Sequence, residues 1–288
     1  MMPTVSRRDI QLDNKPAHYF SLEGENSSTR PVHVYHANAY PFRTYGSFLD
    51  KLDGDIFGLS HRGTWESAGL PDKSMHWHIY ADDLICFLEG QNKGPVVGIG
   101  HSLGAVATTF AAAKRPDLFS ALVLIDPVFI TTTKWLTFRS LQKLSPKINP
   151  MAAIADRRPN FWNSRQEAVD FHQPKKAFSA FTPEAMSDFG DFGISERSDG
   201  FGLAYPREWE AHNYRTVPYV WAALKSLTVP VMGIRGATSG VLVSDALRKW
   251  QKIKPEHQLI ELEGAGHMVP QEAPQKCSEV INRFINAL

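Results

Sequence analysis

The chain has 288 residues, 43% of them hydrophobic, and its formal net charge at pH 7 is +1. This length allows one large α/β domain, or a core that carries a substantial insertion. Because acidic and basic residues are balanced and interspersed, the composition argues against a nucleic-acid partner and against an anionic membrane surface.

The sequence contains no segment that predicts export or membrane insertion. No apolar stretch approaches the roughly 18 residues that a membrane-spanning helix requires, and residues 1–14 lack the apolar centre of a secretory signal. The two cysteines, Cys86 and Cys277, have no spacing typical of a metal or redox site. We therefore expect a cytoplasmic protein with reduced thiols whose partner is a small-molecule substrate.

Short apolar runs alternate with helical patterns as far as Asp126. The first two runs predict an antiparallel strand pair, whereas the later runs are continuously apolar, as parallel strands covered on both faces are. Strands separated by helices predict right-handed βαβ crossovers. The predicted strands are residues 8–12, 18–22, 32–36, 55–59, 95–100 and 121–125, and the predicted helices are residues 45–52, 79–88 and 105–113.

This alternation stops after Asp126, and a segment of about 100 residues follows that is too long for an ordinary loop. It contains helical patches, many aromatic residues and frequent prolines. We predict a mostly helical cap over the carboxyl edge of the sheet, where open α/β sheets bind ligands. The predicted core comprises residues 1–126 and 228–288, and the cap, residues 127–227, is inserted between core strands 6 and 7. Strands at residues 229–234 and 258–262 and helices at residues 244–253 and 274–288 complete the predicted core.

The most informative motif is Gly-His-Ser-Leu-Gly at residues 100–104, directly after an apolar run. A predicted strand ends there and a predicted helix begins at once, which is the setting of a nucleophile elbow. The two glycines leave room for a sharp turn, and the helix N-terminus favours negative charge near the serine hydroxyl. The motif alone is a weak signal, but its context predicts Ser102 as a nucleophile.

A serine hydroxyl attacks a carbonyl efficiently only when a base takes its proton. The base is expected on a loop after the last strand. His267 lies there, in the sequence Glu-Gly-Ala-Gly-His-Met that follows Leu262. The alternative is an ordinary loop histidine, and the placement relative to the elbow favours the catalytic interpretation.

A carboxylate that holds the Nδ1–H group of the base would complete a catalytic triad. The loop after the predicted strand 229–234 has no carboxylate before Asp245, which we interpret as a first-turn helix residue behind Ser244 as the N-cap. Asp126, at the end of the preceding strand, keeps the order Ser, Asp, His and is our candidate acid. Two alternatives stay open. Asp126 shapes the turn into the following proline, or serine and histidine act as a pair without a carboxylate.

An acyl-transfer site also needs amide donors for the oxyanion that forms on the attacked carbonyl. One predicted donor is the backbone N–H of Leu103, and the other comes from the loop after the third predicted strand. We choose Asn38. Tyr40 is kept as the alternative because the motif does not fix the register of this loop. His36 and His101 are interpreted as structural residues. The chemistry requires no metal ion and no organic cofactor.

These motifs together resemble those of the α/β-hydrolase superfamily over nearly the whole chain. Residues 100–104 look like the elbow of that family and residues 264–267 like its histidine loop, while residues 62–67 resemble its Arg-Gly turn. Residues 36–39 are similar to its His-Gly oxyanion loop, with Ala37 where glycine is usual. The resemblance implies an eight-stranded, mostly parallel sheet with helices on both faces, and a covalent acyl-serine mechanism. Serine at the elbow argues against haloalkane dehalogenases and epoxide hydrolases, which carry aspartate there.

The sequence departs from the family pattern at one position that matters. Relatives with a similar loop often read Arg-Gly-x-x-Ser-Asp and use that aspartate as the acid, whereas Gly240 stands here. Either the acid has moved to Asp126, or the enzyme is weakened, or catalysis has been lost. Loss of a triad carboxylate can cost on the order of 10⁴ in rate.

We predict a serine hydrolase that cleaves a carboxylic ester of a small apolar or aryl substrate. The aromatic residues of the predicted cap favour such a pocket, although aromatic residues more often form a core of their own. Hydrolysis of a thioester, a lactone or a carbon–carbon bond and acyl transfer to an alcohol are alternatives on the same site. A non-catalytic small-molecule receptor is the alternative from a different class, and the glycine at position 240 keeps it open.

Overall fold

The computed structural model of the protein describes residues 4–23, 30–66, 68–144 and 149–288. Its strands are β1 (Thr4–Leu12), β2 (Lys15–Glu23), β3 (Pro31–Tyr35), β4 (Asp55–Leu59), β5 (Val96–His101), β6 (Phe119–Ile125), β7 (Ile194–Arg197), β8 (Gly200–Leu203), β9 (Val231–Gly236) and β10 (Gln258–Leu262). Eight of them form one sheet in the order β1-β2-β4-β3-β5-β6-β9-β10. The predicted α/β-hydrolase sheet is therefore present, and each of its eight predicted strands has a counterpart.

Helices cover both faces of this sheet. The helices of the described residues are α1 (Gly46–Leu49), α2 (His78–Gln91), α3 (Leu103–Lys114), α4 (Thr132–Leu144), α5 (Pro150–Asp156), α6 (Arg165–His172), α7 (Pro183–Phe192), α8 (Arg207–Arg215), α9 (Trp221–Ser226), α10 (Ser244–Ile253), α11 (Val269–Glu272) and α12 (Pro274–Asn286). Among the described residues, none of the helices is long and apolar enough to cross a membrane.

The sheet begins with an antiparallel hairpin, as predicted, and both strands are longer than the sequence pattern indicates. Asp13 and Asn14 form its two-residue turn with φ angles of 49° and 59°, the left-handed conformation that tight hairpin turns require and that Asp and Asn tolerate. β2 also pairs antiparallel with β4, whereas the remaining neighbours in the sheet pair parallel. The parallel strands therefore point their carboxyl ends at one edge.

The parallel strands are buried because alternate side chains enter two different hydrophobic clusters. On β6, Leu122 and Leu124 pack into the cluster that includes α2, α3 and α10, whereas Val123 and Ile125 pack with α1 and α12 on the other face. All six residues of β5 are buried. Because the central strands are packed on both faces, their carboxyl ends are held in place, and so are the loops that follow them.

Residues 127–227, here called the insertion, lie between β6 and β9. The sequence predicts a mostly helical segment, and the structure adds the antiparallel hairpin β7-β8 to six helices of the described chain. The hairpin buries Ile194 against Leu203, but its strands have four residues each. Two of the four in β8 are glycines, so too few side chains remain to show a period of two.

Two other predictions change in detail. The helix predicted at residues 45–52 is a 3-10 turn at Phe42–Tyr45 followed by the short α1. The prediction that Ser244 caps α10 is wrong, because Val243 holds the N-cap position, Ser244 is the first helical residue, and no side chain caps this end.

Candidate active site

Ser102 lies between the end of β5 and the start of α3, with φ of 56° and ψ of −112°. L-residues rarely adopt this conformation. A Cβ added at Gly104 would lie 2.1 Å from a backbone carbonyl oxygen of β3, and one at Gly100 would lie 2.5 Å from the backbone of α3. Neither position has room for a side chain. Both glycines are therefore required by the close packing of the backbone around the serine turn.

His267 lies on the loop after β10, and its Nε2 atom is 3.0 Å from Ser102 Oγ. This separation is within reach for proton transfer. Glu272 of α11 holds the loop, because its carboxylate accepts hydrogen bonds from the amides of Gly266 and Met268 on either side of the histidine. Glu272 thus fixes the backbone of the loop that carries the imidazole.

Asp126 follows β6, and its carboxylate is fully buried with Oδ2 2.6 Å from His267 Nδ1. Two further donors hold the same carboxylate: the hydroxyl of Ser239 lies 2.5 Å from Oδ2, and the amide of Gly236 lies 3.3 Å from Oδ1. The structure therefore brings the three predicted residues into one line of contacts from Asp126 through His267 to Ser102. That line has the geometry of a catalytic triad.

Backbone strain marks the same edge of the sheet independently of the sequence motifs. Six non-glycine residues of the described chain have positive φ, and three of them are Ala39 at 68°, Ser102 at 56° and Asp126 at 38°. Each such conformation costs about 1–3 kcal/mol and persists only when its surroundings impose it. Three strained residues on three neighbouring loops indicate a functional site there.

Position 240, where the family pattern has aspartate, carries no side chain that could act as an acid in this chain. Gly240 is exposed, and a Cβ built on it would have no neighbour within 4 Å. Asp245 forms an ion pair with Arg248 on the surface of α10, in agreement with its interpretation as a first-turn residue. The loop after β9 instead supplies Ser239, one residue before the glycine, as a donor to the carboxylate at the end of β6.

Replacing Ser239 should loosen this carboxylate. We expect Ser239→Ala to lower the free energy of unfolding by about 2 kcal/mol, because a hydrogen bond to a buried charged group is lost. Ser278→Ala is the matched control, since that buried hydroxyl donates to a neutral backbone carbonyl within α12, and it should cost less. Urea unfolding of both variants measures the difference, and equal losses would contradict the role assigned to Ser239.

The two predicted oxyanion donors come from different segments, the start of α3 and the loop after β3. Leu103 is the first residue of α3, so its amide is one of those that a helix N-terminus leaves without an intrahelical acceptor. Asn38 lies on the loop after β3, and its side chain is held by α8: Nδ2 donates to the carbonyl of Glu210 at 3.2 Å, and Oδ1 accepts from Asn213 at 2.9 Å. The amide of Tyr40 is directed to a carbonyl of its own loop at 3.4 Å, which favours Asn38.

A buried ion pair continues this network into the insertion. The carboxylate of Glu210, in a residue only 1% exposed, lies 2.9 Å from the guanidinium of Arg158. Burial raises the pKa of the Glu210 carboxyl, and the guanidinium opposes that shift. Because the backbone of Glu210 also accepts from Asn38, the packing of the insertion and the position of the candidate oxyanion loop are coupled.

The aromatic residues of the insertion pack mainly into hydrophobic cores. Trp162, Phe178 and Phe189 form a cluster of their own, on which Tyr40 of the core packs. Trp209 and Trp221 join the large cluster on one face of the sheet. These contacts explain the aromatic content by core formation, the alternative that the sequence analysis leaves open.

Buried histidines predict that the fold is labile to acid. Burial lowers the pKa of His33 and His101 to about 3 and that of His36 to about 4. In the unfolded chain these groups titrate near 6.5, so below that pH the unfolded state binds protons that the folded state does not. Stability is therefore lost as pH falls, by about 1.4 kcal/mol per histidine at pH 5.5, or about 4 kcal/mol for the three. Thermal unfolding at pH 7.5 and 5.5 measures this, and an unchanged midpoint would contradict it.

His36 and His101 are buried and hydrogen-bonded to other residues of the protein. His36 accepts from the amide of His61 at 3.1 Å and lies 2.9 Å from the carbonyl oxygen of Ala37, as expected of a structural residue.

Sequence reasoning missed Ser239 and Glu272, because no motif marks a residue that acts on the candidate triad through a neighbour. Among the residues described, no three His, Cys, Asp or Glu side chains gather in a way that could hold a metal ion.

Comparisons with known proteins show the family and the fold. The model of the alpha/beta hydrolase family matches residues 19–280. The 2-(acetamidomethylene)succinate hydrolase of Mesorhizobium japonicum is 27% identical over 75% of this chain and 73% of its own length. Human monoglyceride lipase is 29% identical over 81% of this chain and 72% of its own length. The crystal structure of E-2-(acetamidomethylene)succinate hydrolase superimposes with a TM-score of 0.83 at 19% identity, covering 98% of this chain and 100% of that one.

Proposed function

Because the chain belongs to the alpha/beta hydrolase family, we propose that it is a serine hydrolase that cleaves a carboxylic ester of a small apolar or aryl substrate. The observation that carries the proposal is the line of contacts from the buried carboxylate of Asp126 through His267 to the hydroxyl of Ser102, at 2.6 and 3.0 Å. A nucleophile, a base and a group that orients the base are the parts that acyl transfer requires.

The mechanism follows from these contacts. His267 Nε2 takes the proton of Ser102 as Oγ attacks the acyl carbon, and the amides of Leu103 and Asn38 donate to the oxyanion. The imidazolium, stabilised by Asp126, gives its proton to the leaving alcohol as the carbon–oxygen bond breaks. Water then attacks the acyl-serine with His267 again as the base, which releases the acid and restores the hydroxyl.

We further propose that the insertion, residues 127–227, acts as the cap over this site. Two observations support this role. Helix α8 holds the side chain of Asn38, and the amide of Thr182 donates to the carbonyl of Gln271 at 3.0 Å, just beyond the loop of the candidate base. The insertion therefore contacts both the candidate oxyanion loop and helix α11, which follows the loop of the candidate base.

The same site could act on another acyl bond, and the relatives named above differ in their substrates. Thioester, lactone and carbon–carbon bond hydrolysis and acyl transfer to an alcohol therefore remain the alternatives within the enzyme class. A non-catalytic receptor would need neither a carboxylate aligned on the histidine nor a strained serine backbone, so the three aligned residues favour an enzyme.

The test is a panel of acyl compounds: a p-nitrophenyl ester, an alkyl ester and a thioester of one acyl chain, together with a lactone and a 1,3-diketone. We expect the esters to give the highest kcat/KM, and the activated ester to show a burst equal to one acyl group per active site. A higher kcat/KM for another member would move the proposal to that bond. Turnover of none of them by the folded protein would favour the receptor.

A further inference from the structure

A second line of buried hydrogen bonds lies beside the candidate triad. The amide nitrogen of Ala37 is 2.9 Å from the hydroxyl of Tyr45, that hydroxyl is 2.6 Å from Nδ1 of His101, and Nε2 of His101 is 2.9 Å from the carbonyl oxygen of His267. Tyr45 and His101 are each 1% exposed and Ala37 is 2% exposed. The line thus joins the candidate oxyanion loop, the residue before the nucleophile, and the backbone of the candidate base.

The chemistry of the two ends fixes the direction of every hydrogen bond in this line. A backbone amide only donates and a backbone carbonyl only accepts. Nε2 of His101 must therefore carry the proton that it donates to His267. In a neutral imidazole Nδ1 is then an acceptor, so Tyr45 donates to it while accepting from Ala37. Burial, which lowers the pKa of His101 to about 3, keeps the ring neutral and makes this arrangement self-consistent.

We propose that Tyr45 and His101 are positioning residues that fix the oxyanion loop and the loop of the base to the elbow. This inference rests on the proposed function, because it assigns to the two residues an effect on the same reaction. Ala37 precedes the candidate donor Asn38, and the carbonyl that His101 holds belongs to His267 itself. One hydroxyl and one imidazole therefore set the distance between the group that binds the oxyanion and the group that moves the proton.

Removing the tyrosine hydroxyl leaves two buried polar groups without partners, the amide of Ala37 and Nδ1 of His101. Such groups are costly to leave unpaired, so the oxyanion loop and the imidazole are expected to shift toward other partners. Displacements of about 1 Å can reduce the rate of a positioned reaction by about 100-fold. In the described structure neither residue hydrogen-bonds to Ser102 Oγ or to the imidazole of His267, so the loss should appear in kcat rather than in KM.

Tyr45→Phe, compared with Tyr35→Phe, tests the kinetic part. Tyr35 is also fully buried, and its hydroxyl donates to the carbonyl of Tyr80 at 3.1 Å, so its loss reports the general cost of removing a buried hydroxyl. We expect Tyr45→Phe to lower kcat by roughly tenfold or more with little change in KM, and Tyr35→Phe to keep the wild-type kcat. Equal kcat values for the two variants, both folded by circular dichroism, would overturn the proposal.

Rescue by a conservative replacement separates positioning from general destabilisation. In His101→Gln the side-chain amide can still donate to the carbonyl of His267, whereas His101→Leu has no donor there. We expect the glutamine variant to retain several-fold more kcat than the leucine variant. If the two lose kcat equally while remaining folded, the hydrogen bond to the base loop does not matter and the proposal fails.

A readout that needs no turnover distinguishes failure of this inference from failure of the proposed function. Long-range ¹H–¹⁵N correlation spectra of the wild-type protein report which nitrogen of His101 carries the proton. We expect the Nε2–H form, and in Tyr45→Phe a changed Nδ1 shift because its donor is gone. An Nδ1–H form in the wild type would overturn the proposal even in an active enzyme. If the protein gives the expected spectra but turns over no acyl substrate, the hydrogen bonds proposed here are present and the serine hydrolase assignment is refuted.

Discussion

Ser102→Ala is expected to lower kcat/KM on the order of 10⁶-fold, close to the level that binding and the oxyanion donors alone provide. The Oγ atom is the only atom removed, and its hydrogen bond in the described structure is to His267 Nε2 at 3.0 Å. Alanine at this position keeps the same backbone conformation, so the fold should survive. Initial rates on the best substrate of the acyl panel measure the loss.

The control for this variant is substrate binding. Calorimetric titration of Ser102→Ala with that substrate should give a dissociation constant within a few-fold of the one that pre-steady-state kinetics give for the wild-type acylation step, because no residue of the surrounding walls changes. Turnover above a thousandth of the wild-type rate by the alanine variant would mean that another residue is the nucleophile.

Asp126→Ala is expected to lower kcat on the order of 10⁴-fold. The buried carboxylate lies 2.6 Å from His267 Nδ1 and fixes the tautomer whose Nε2 can accept the serine proton, besides stabilising the imidazolium. Asp126 also accepts a hydrogen bond from the Ser239 hydroxyl. Asp126→Asn, which keeps the shape of the side chain, should therefore be measured in parallel to separate loss of charge from loss of packing.

Asp245→Ala is the matched control for the identity of the acid. Its carboxylate is the first after β9 in the sequence, but it is exposed on α10 and paired with Arg248. We expect this variant to keep the wild-type kcat. A large loss in Asp245→Ala together with normal activity in Asp126→Ala would reverse the assignment and place the acid in the first turn of α10.

The sequence predicted the core of the fold well because local pattern and tertiary environment agree there. The buried parallel strands are continuous apolar runs such as residues 121–125, which fall within β6. At the two elbow glycines the neighbouring backbone leaves no room for any other residue type. Ser102 and His267 could be chosen because short motifs, each next to a strand end, carry them. Physical constraints that act over a few residues leave a signal that sequence alone can show.

The remaining features depend on contacts between distant segments. Ser239 meets Asp126 across 113 positions of the chain, and the sequence alone made that aspartate the candidate acid while leaving two alternatives open. The line from Ala37 through Tyr45 to His101 likewise joins the segment after β3 to the last residue of β5, 56 positions beyond Tyr45. The β7-β8 hairpin was missed because its burial comes from packing with the rest of the insertion rather than from its own short pattern.

The central claim is that the hydroxyl of Ser102 is an activated nucleophile. Labelling of the wild-type protein with a fluorophosphonate probe, followed by peptide mass mapping, tests it most directly. We predict rapid, stoichiometric modification at Ser102, and loss of that modification in His267→Ala. A folded wild-type protein that stays unlabelled, or one that is labelled at a different residue, would contradict the account.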